Sequence, residues 1–408
     1  MDAQHSQPIN LGERIDSLDV LRGVAILGIL LMNIVTFSMV LATYTNPSVY
    51  NDLSGPDWWT WLTLHLFVDQ KFMTMFSVLF GAGVCIFMER ATAKKHAAWK
   101  LQFSRMGWLL LIGLLHAYLI WYGDILVSYA VAGIVIALVR SWKPMTLFVV
   151  GVVVMLLIPI LFNSAVYLTI PYWPEEAIAS FHNSVNLESN ENMAEIAAYN
   201  GSWLGQLVHR IPTSLMMHIF IVPVYIFWHA AGLMMMGMAA YKWGILSATR
   251  STTFYGMMIG IGLLIGLPLV GAGVWFNTQS GWDPIRGMFL YGNWNLVGGP
   301  FVAAAWIGLV MLICKWNVLP HARNALASVG RMALTNYIAQ SIICSVLFYG
   351  HGFGWFGQLE RVELLYVVAA IWAFQIVFSI LWLKSFRFGP LEWAWRSATY
   401  LRIQQLRR

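Results

Sequence analysis

Apolar runs long enough to cross a bilayer recur along the whole chain, and no other feature constrains its fold as tightly. A helix needs about 20 apolar residues to span the hydrocarbon core. The chain is 59% hydrophobic and only 10% charged, where soluble domains carry about 25% charge. These runs predict an all-α, polytopic helical bundle. The net charge of +6 does not point to nucleic acid, because the basic residues are scattered between apolar runs, as in membrane proteins.

Ten spans are expected, at residues 20–41, 72–88, 103–122, 125–140, 144–162, 212–241, 254–276, 295–315, 327–349 and 362–384. A short segment at 58–68 precedes the second, and Pro159 and Pro223 are expected to break their helices. The organisation reads as an amino-terminal cytoplasmic or interfacial segment (1–18), a transmembrane domain (19–386) and an amphipathic tail (387–408). Residues 163–206 form the longest hydrophilic stretch, with five glutamates and no lysine, which suits the outer face. Of the 24 lysines and arginines, only Lys71, Arg210, Arg286 and Arg361 fall on or near the side opposite the termini. The positive-inside rule then makes both termini cytoplasmic, and a bacterial inner membrane is the expected location. The run at 20–41 reads as a span and not as a cleaved signal. The three cysteines lack metal-ligand spacing and read as small buried hydrophobes.

The first span is polar on one face. Asp19, Arg22, Ile26 and Asn33 fall within about 60° of one another, over a climb from Arg22 to Asn33 of roughly 16 Å. Polar groups at that depth normally face protein or a wet cavity. Asp19 and Arg22 pair at i and i+3, and Arg22 either stops there or also grips an anion at the cytoplasmic mouth. Arg331 has the same two readings. His116 and Asp124 form a base and its orienting group, or an interhelical hydrogen bond and a helix cap. Asn33 is an oxyanion donor or an interhelical hydrogen bond. His65, Asp69 and Lys71 make a polar cluster in which Lys71 needs a partner. His218, Tyr225, His229 and Gly232 share one side of the sixth span, as a tunnel lining or as packing. Asn336 and Gln340 read mainly as packing, with Asn336 kept as a substrate contact. Gly256, Gly260, Gly262 and Gly266 read as close-packing sites. No metal site is expected.

Several motifs carry a resemblance. They are Leu18-Asp19-Val20-Leu21-Arg22-Gly23 leading to Met32-Asn33, the run Phe76-Ser77-Val78-Leu79-Phe80-Gly81-Ala82-Gly83, and Gly123-Asp124-Ile125-Leu126. Gly330-Arg331-Met332-Ala333-Leu334-Thr335-Asn336-Tyr337 and Gly389-Pro390-Leu391-Glu392-Trp393 complete the set. Together they resemble the YeiB family of bacterial membrane proteins across nearly the whole chain. That family is grouped distantly with transmembrane acyltransferases similar to heparan-glucosaminide acetyltransferase. The resemblance implies acyl-coenzyme A as donor, and it implies an active-site asparagine at Asn33. Those relatives also use a histidine in the loop after the first span. Residues 44–56 contain none here, so His65 or His116 would serve.

On this reading, acyl-coenzyme A enters beside Arg22 and Arg331. The acyl group reaches Asn33, His116 and Asp124, and a small-molecule or glycan acceptor approaches from outside. Asp19, Lys71, His229 and Asn336 are the candidate substrate contacts. Membrane lipids are the surrounding partners, nucleic acid is excluded, and a homodimer is left open. The competing readings are a proton-coupled transporter, which buried histidine and aspartate would serve, and a lipid-binding structural protein.

Overall fold

A computed structural model describes residues 15–50 and 53–408. Most of the amino-terminal segment expected at 1–18 therefore lies outside the described residues. The chain is a helical bundle, and among the described residues the only β-pairing is an isolated bridge between Phe386 and Arg407. In order the helices are α1 (Asp16–Ser38), α2 (Ala42–Thr45), α3 (Gly55–Phe67), α4 (Lys71–Ala93), α5 (Ala98–Leu119) and α6 (Leu126–Leu138). Next come α7 (Pro144–Thr169), α8 (Glu175–Asn183), α9 (Asn190–Tyr199), α10 (Trp203–Met216), α11 (Phe227–Lys242) and α12 (Thr252–Gln279). The last are α13 (Pro284–Arg286), α14 (Gly292–Lys315), α15 (Pro320–Arg331), α16 (Ala333–Phe348), α17 (Arg361–Ser385) and α18 (Pro390–Thr399). All ten stretches expected to span are helical. Among the described residues, seven helices are long and apolar enough to cross a membrane, and Leu126–Leu138 and Ala333–Phe348 are shorter apolar helices.

Three local outcomes differ from expectation. Pro159 sits inside an unbroken α7. Pro223 falls in a π-helical stretch, Met217–Ile226, that joins α10 to α11; wider i→i+5 pairing absorbs the donor that proline lacks. The span expected at 327–349 breaks at Met332 (φ −116°, ψ 30°) into α15 and α16. The break is stabilised from outside, because Glu392 of α18 accepts the freed Leu334 and Thr335 amides at 2.7 and 3.1 Å. A carboxylate at a helix amino terminus is favoured by both the orphan donors and the dipole.

Helix α1 is the axis of the bundle, packing against α4, α14, α15, α16 and α17. Its crossing with α15 is a backbone contact. A Cβ on Gly23 would lie 2.0 Å from the Leu326 carbonyl oxygen, and one on Gly330 would lie 1.9 Å from that of Asp19. Only glycine permits so close an approach. Of the other glycines expected at interfaces, Gly262 and Gly266 pack α12 against α14, whereas Gly256 and Gly260 face open space.

The face where α1 begins also carries α18 and is called here the terminal face. The opposite face is covered by residues of the 163–206 stretch. There, Glu195 of α9 places both carboxylate oxygens 3.1 Å from the Leu41 amide. Tyr199 stacks on Tyr349 and Phe356 at ring distances of 4.6 and 5.1 Å, and Phe37 stacks on Trp121 at 4.3 Å. Beneath this aromatic layer lies Arg210, fully buried, which donates to the Leu119 carbonyl and the Gln206 side chain, each at 2.7 Å.

Candidate functional site

The backbone contact between α1 and α15 sets the neighbouring side chains. Arg22 adjoins Gly23 and Arg331 adjoins Gly330, so the crossing brings both guanidinium groups to one cavity of about 300 Å³. Along α1 this cavity runs from Ile15 to Ile29, a depth of about 20 Å at the helical rise. Five arginines line it: Arg22, Arg90, Arg105, Arg331 and Arg396. The two carboxylates, Asp19 and Glu392, are already engaged. Asp19 accepts from Arg22 at 3.1 Å, and Glu392 caps α16, also accepting the Thr335 hydroxyl at 2.6 Å. Burial pushes the Glu392 carboxyl above its ordinary range despite these hydrogen bonds. Arg105 lies over the rings of Phe87 and Trp395 at 4.8 and 4.9 Å, which fixes a planar cation without neutralising it. The deep half of the cavity is apolar, walled by Ile26, Phe76, Phe80, Leu109, Ile125 and Tyr337. Thus a basic mouth leads into a greasy interior.

Past the inner end stands a buried polar chain. His116 follows Leu109 by seven residues on α5, hence on the same face and two turns deeper. Its Nδ1 lies 2.7 Å from Asp124 Oδ2, and its Nε2 lies 2.9 Å from the Ser341 hydroxyl. The Asp124 Oδ1 accepts the Val127 amide at 2.8 Å. The carboxylate therefore caps α6 and orients the histidine at once; the two alternatives read from sequence coexist. In the neutral ring, a proton on Nδ1 would be donated to Asp124, leaving Nε2 to accept from Ser341. Asp124 is buried because α6 is short: 13 residues rise only about 20 Å, so the preceding turn dips under the outer layer. Gly113 allows the approach, since a Cβ there would meet the Val127 nitrogen at 2.8 Å. The Tyr337 ring, 5.2 Å from that of His116, stands between the cavity and this chain.

The other expected site residues fall elsewhere. Asn33 lies one turn past Ile29 on the same face of α1. Its side chain lines neither this cavity nor the small pocket near Tyr44, and it is not hydrogen-bonded to His116 or Asp124. Lys71 is fully buried, donating to the His65 carbonyl and to Asn295 Oδ1, each at 2.6 Å. Asn295 donates on to Asp69 at 2.8 Å, and His65 approaches the same carboxylate at 3.1 Å. This network borders the small pocket toward the opposite face, remote from the arginines. Asn336 donates to the Val329 carbonyl and the Ser379 hydroxyl at 3.1 Å, and so ties α16 to α15 and α17. His229 is buried and stacks with Tyr225 at 6.3 Å, outside the cavity; Gly232, one turn on, draws α11 against α7. On the same stripe, His218 meets the Tyr118 hydroxyl at 3.3 Å. Among the described residues no group of three or more histidine, cysteine or acidic side chains is arranged to hold a metal.

Sequence reasoning missed Ser341, Tyr337, Arg90, Arg105 and Arg396. The arginines carried a signal, since they cluster at helix ends on the terminal face, but that signal reads equally as topology.

Comparison with known proteins gives consistent relatives. Residues 240–402 match a family described as protein of unknown function (DUF418). The uncharacterized protein YeiB of Escherichia coli (strain K12) is 34% identical, covering 95% of this chain and 96% of the relative. The uncharacterized protein YxaH of Bacillus subtilis (strain 168) is 33% identical, covering 98% of both. An uncharacterized 39.9 kDa protein from the amylase 3′ region of Bacillus acidopullulyticus is 28% identical, covering 97% of this chain and 96% of the relative. No solved structure matches.

Proposed function

The chain belongs to the DUF418 family that includes YeiB and YxaH, and from that premise we propose that it is a membrane-bound acyltransferase using acyl-coenzyme A. One observation carries the reading: an arginine-rimmed mouth and an apolar interior end at Tyr337, whose ring lies 5.2 Å from that of a buried histidine held by a carboxylate. Phosphates suit the guanidinium groups, which bind them in planar, bidentate fashion. An acyl chain on a thin pantetheine arm suits the interior, whose volume of about 300 Å³ is at the small end for ligand pockets. His116 then serves as general base, with Asp124 fixing its tautomer. The positive-inside rule places the basic mouth in the cytoplasm of a bacterial inner membrane. A carrier would alternate between two conformations, and in this one the Phe37–Trp121 and Tyr199–Tyr349 stacks close the far end.

The test is calorimetric titration of the purified protein with acetyl-coenzyme A. Binding should weaken at least tenfold in Arg22→Ala and should fall with added salt. Binding that ignores both changes, or no binding to the wild type, would overturn the reading.

A further inference from the structure

We propose that Ser341 carries the acyl group as a covalent ester, so that transfer proceeds in two half-reactions. The inference rests on the acyltransferase reading and extends it to a residue that the reading does not use.

The geometry is that of an activated hydroxyl. Ser341 is buried, and its Oγ lies 2.9 Å from His116 Nε2. In the neutral tautomer that donates to Asp124, that nitrogen is the acceptor. Its alternative partner is poor, because the carbonyl of Tyr337 one turn back lies 3.4 Å away. A serine in an apolar helix normally returns its proton to that carbonyl. Here the proton points at a base that is itself oriented by a third group, the arrangement that turns a weak nucleophile into a strong one.

A tetrahedral intermediate also needs donors. Two buried donors beside the histidine, the Trp121 indole N–H and the Tyr337 hydroxyl proton, reach no acceptor among the described residues. Their rings lie 6.1 and 5.2 Å from the imidazole ring. A buried, unpaired donor is costly to fold around, and a developing oxyanion would satisfy it. Tyr337 also lines the acyl-sized cavity one helical turn before Ser341, so the same residue touches both compartments.

The chemistry balances without a further reagent. Ser341 Oγ attacks the thioester carbonyl, its proton passes to His116 Nε2, the C–S bond breaks, and the departing thiolate takes the proton and leaves as the thiol. In the second half an acceptor hydroxyl or amine attacks the serine ester and gives its proton to Nε2. The C–O bond to Ser341 breaks, and Oγ recovers the proton. Donor and acceptor never need to occupy the site together, which suits a cavity too narrow for both.

The experiment uses the full-length protein in detergent, with radiolabelled acetyl-coenzyme A and no acceptor, quenched in acid and digested for mass spectrometry. The wild type should carry one acetyl group on the peptide containing Ser341, stable to neutral hydroxylamine. Ser341→Cys should carry a label that neutral hydroxylamine removes. Ser341→Ala should lose the label while still binding acetyl-coenzyme A by calorimetry. Donor binding with no label, with label elsewhere, or with transfer by Ser341→Ala at the wild-type rate would overturn the covalent step and leave the acyltransferase reading standing. Absence of donor binding in the wild type would remove both.

Discussion

Glu195 offers a test of the outer layer that needs no substrate. Its carboxylate is 4% exposed, receives the Leu41 amide on both oxygens at 3.1 Å, and has His209 at 4.0 Å. Burial pushes its pKa from 4.5 to about 7, and the hydrogen bond from Leu41 only partly offsets this. Between those values the folded protein holds a proton that the unfolded chain has released. Stability is therefore greatest below pH 4.5 and falls as pH rises toward 7. At about 1.4 kcal/mol per pH unit, the full penalty is of order 3 kcal/mol. Replacing Glu195 by Gln keeps an acceptor for Leu41 and removes the charge. The variant should be more stable than the wild type by about 2–3 kcal/mol at pH 8 and by under about 1 kcal/mol at pH 5. For a chain of 408 residues that is a gain of roughly 2–4 °C in the unfolding midpoint. Thermal unfolding in detergent at both pH values measures it. A variant less stable at pH 8 would mean that Glu195 is ionised and held by His209, and the argument from burial would be wrong.

Gly330→Leu should drive its side chain into the Asp19 carbonyl and cost at least about 1–3 kcal/mol, read as a lower midpoint together with weaker acetyl-coenzyme A binding. Lys71→Met should strand Asp69 and Asn295 and cost about 3–5 kcal/mol, and adding Asp69→Asn should recover a substantial part of it in the same unfolding assay. Asp124→Asn should lower acyl transfer by roughly 10²–10⁴-fold while acetyl-coenzyme A still binds within a fewfold of wild type; equal loss of binding would make Asp124 structural only.

The helices were legible because membrane burial writes itself as composition: all ten stretches expected to span are helical. The Asp19–Arg22 pair was legible because i, i+3 geometry is local. The junction at Met332 was not, because its stabilising group is Glu392, far along the chain on a helix that reads only as an amphipathic tail. Lys71 announced a missing partner without naming it, and the partner proved to be an amide, Asn295, on α14. Ser341 could not be found at all. A serine in an apolar helix is unremarkable by sequence, and its meeting with His116 spans 225 positions. Polar residues at depth thus flag that a network exists, while its membership is decided by which helices cross.

The same crossing concentrates arginines at one end of the cavity. Each of the two motif arginines flanks a glycine in backbone contact, so the placement of Arg22 relative to Arg331 is set by main chain and cannot relax by side-chain retreat alone. Three further arginines converge from α4, α5 and α18. Glu392 lines the same cavity, and the broken helix holds its carboxylate at the start of α16. Moving Glu392 away would expose the Leu334 and Thr335 amides, each a costly unpaired donor if buried. The helix break therefore fixes where the acidic edge of this basic cavity lies.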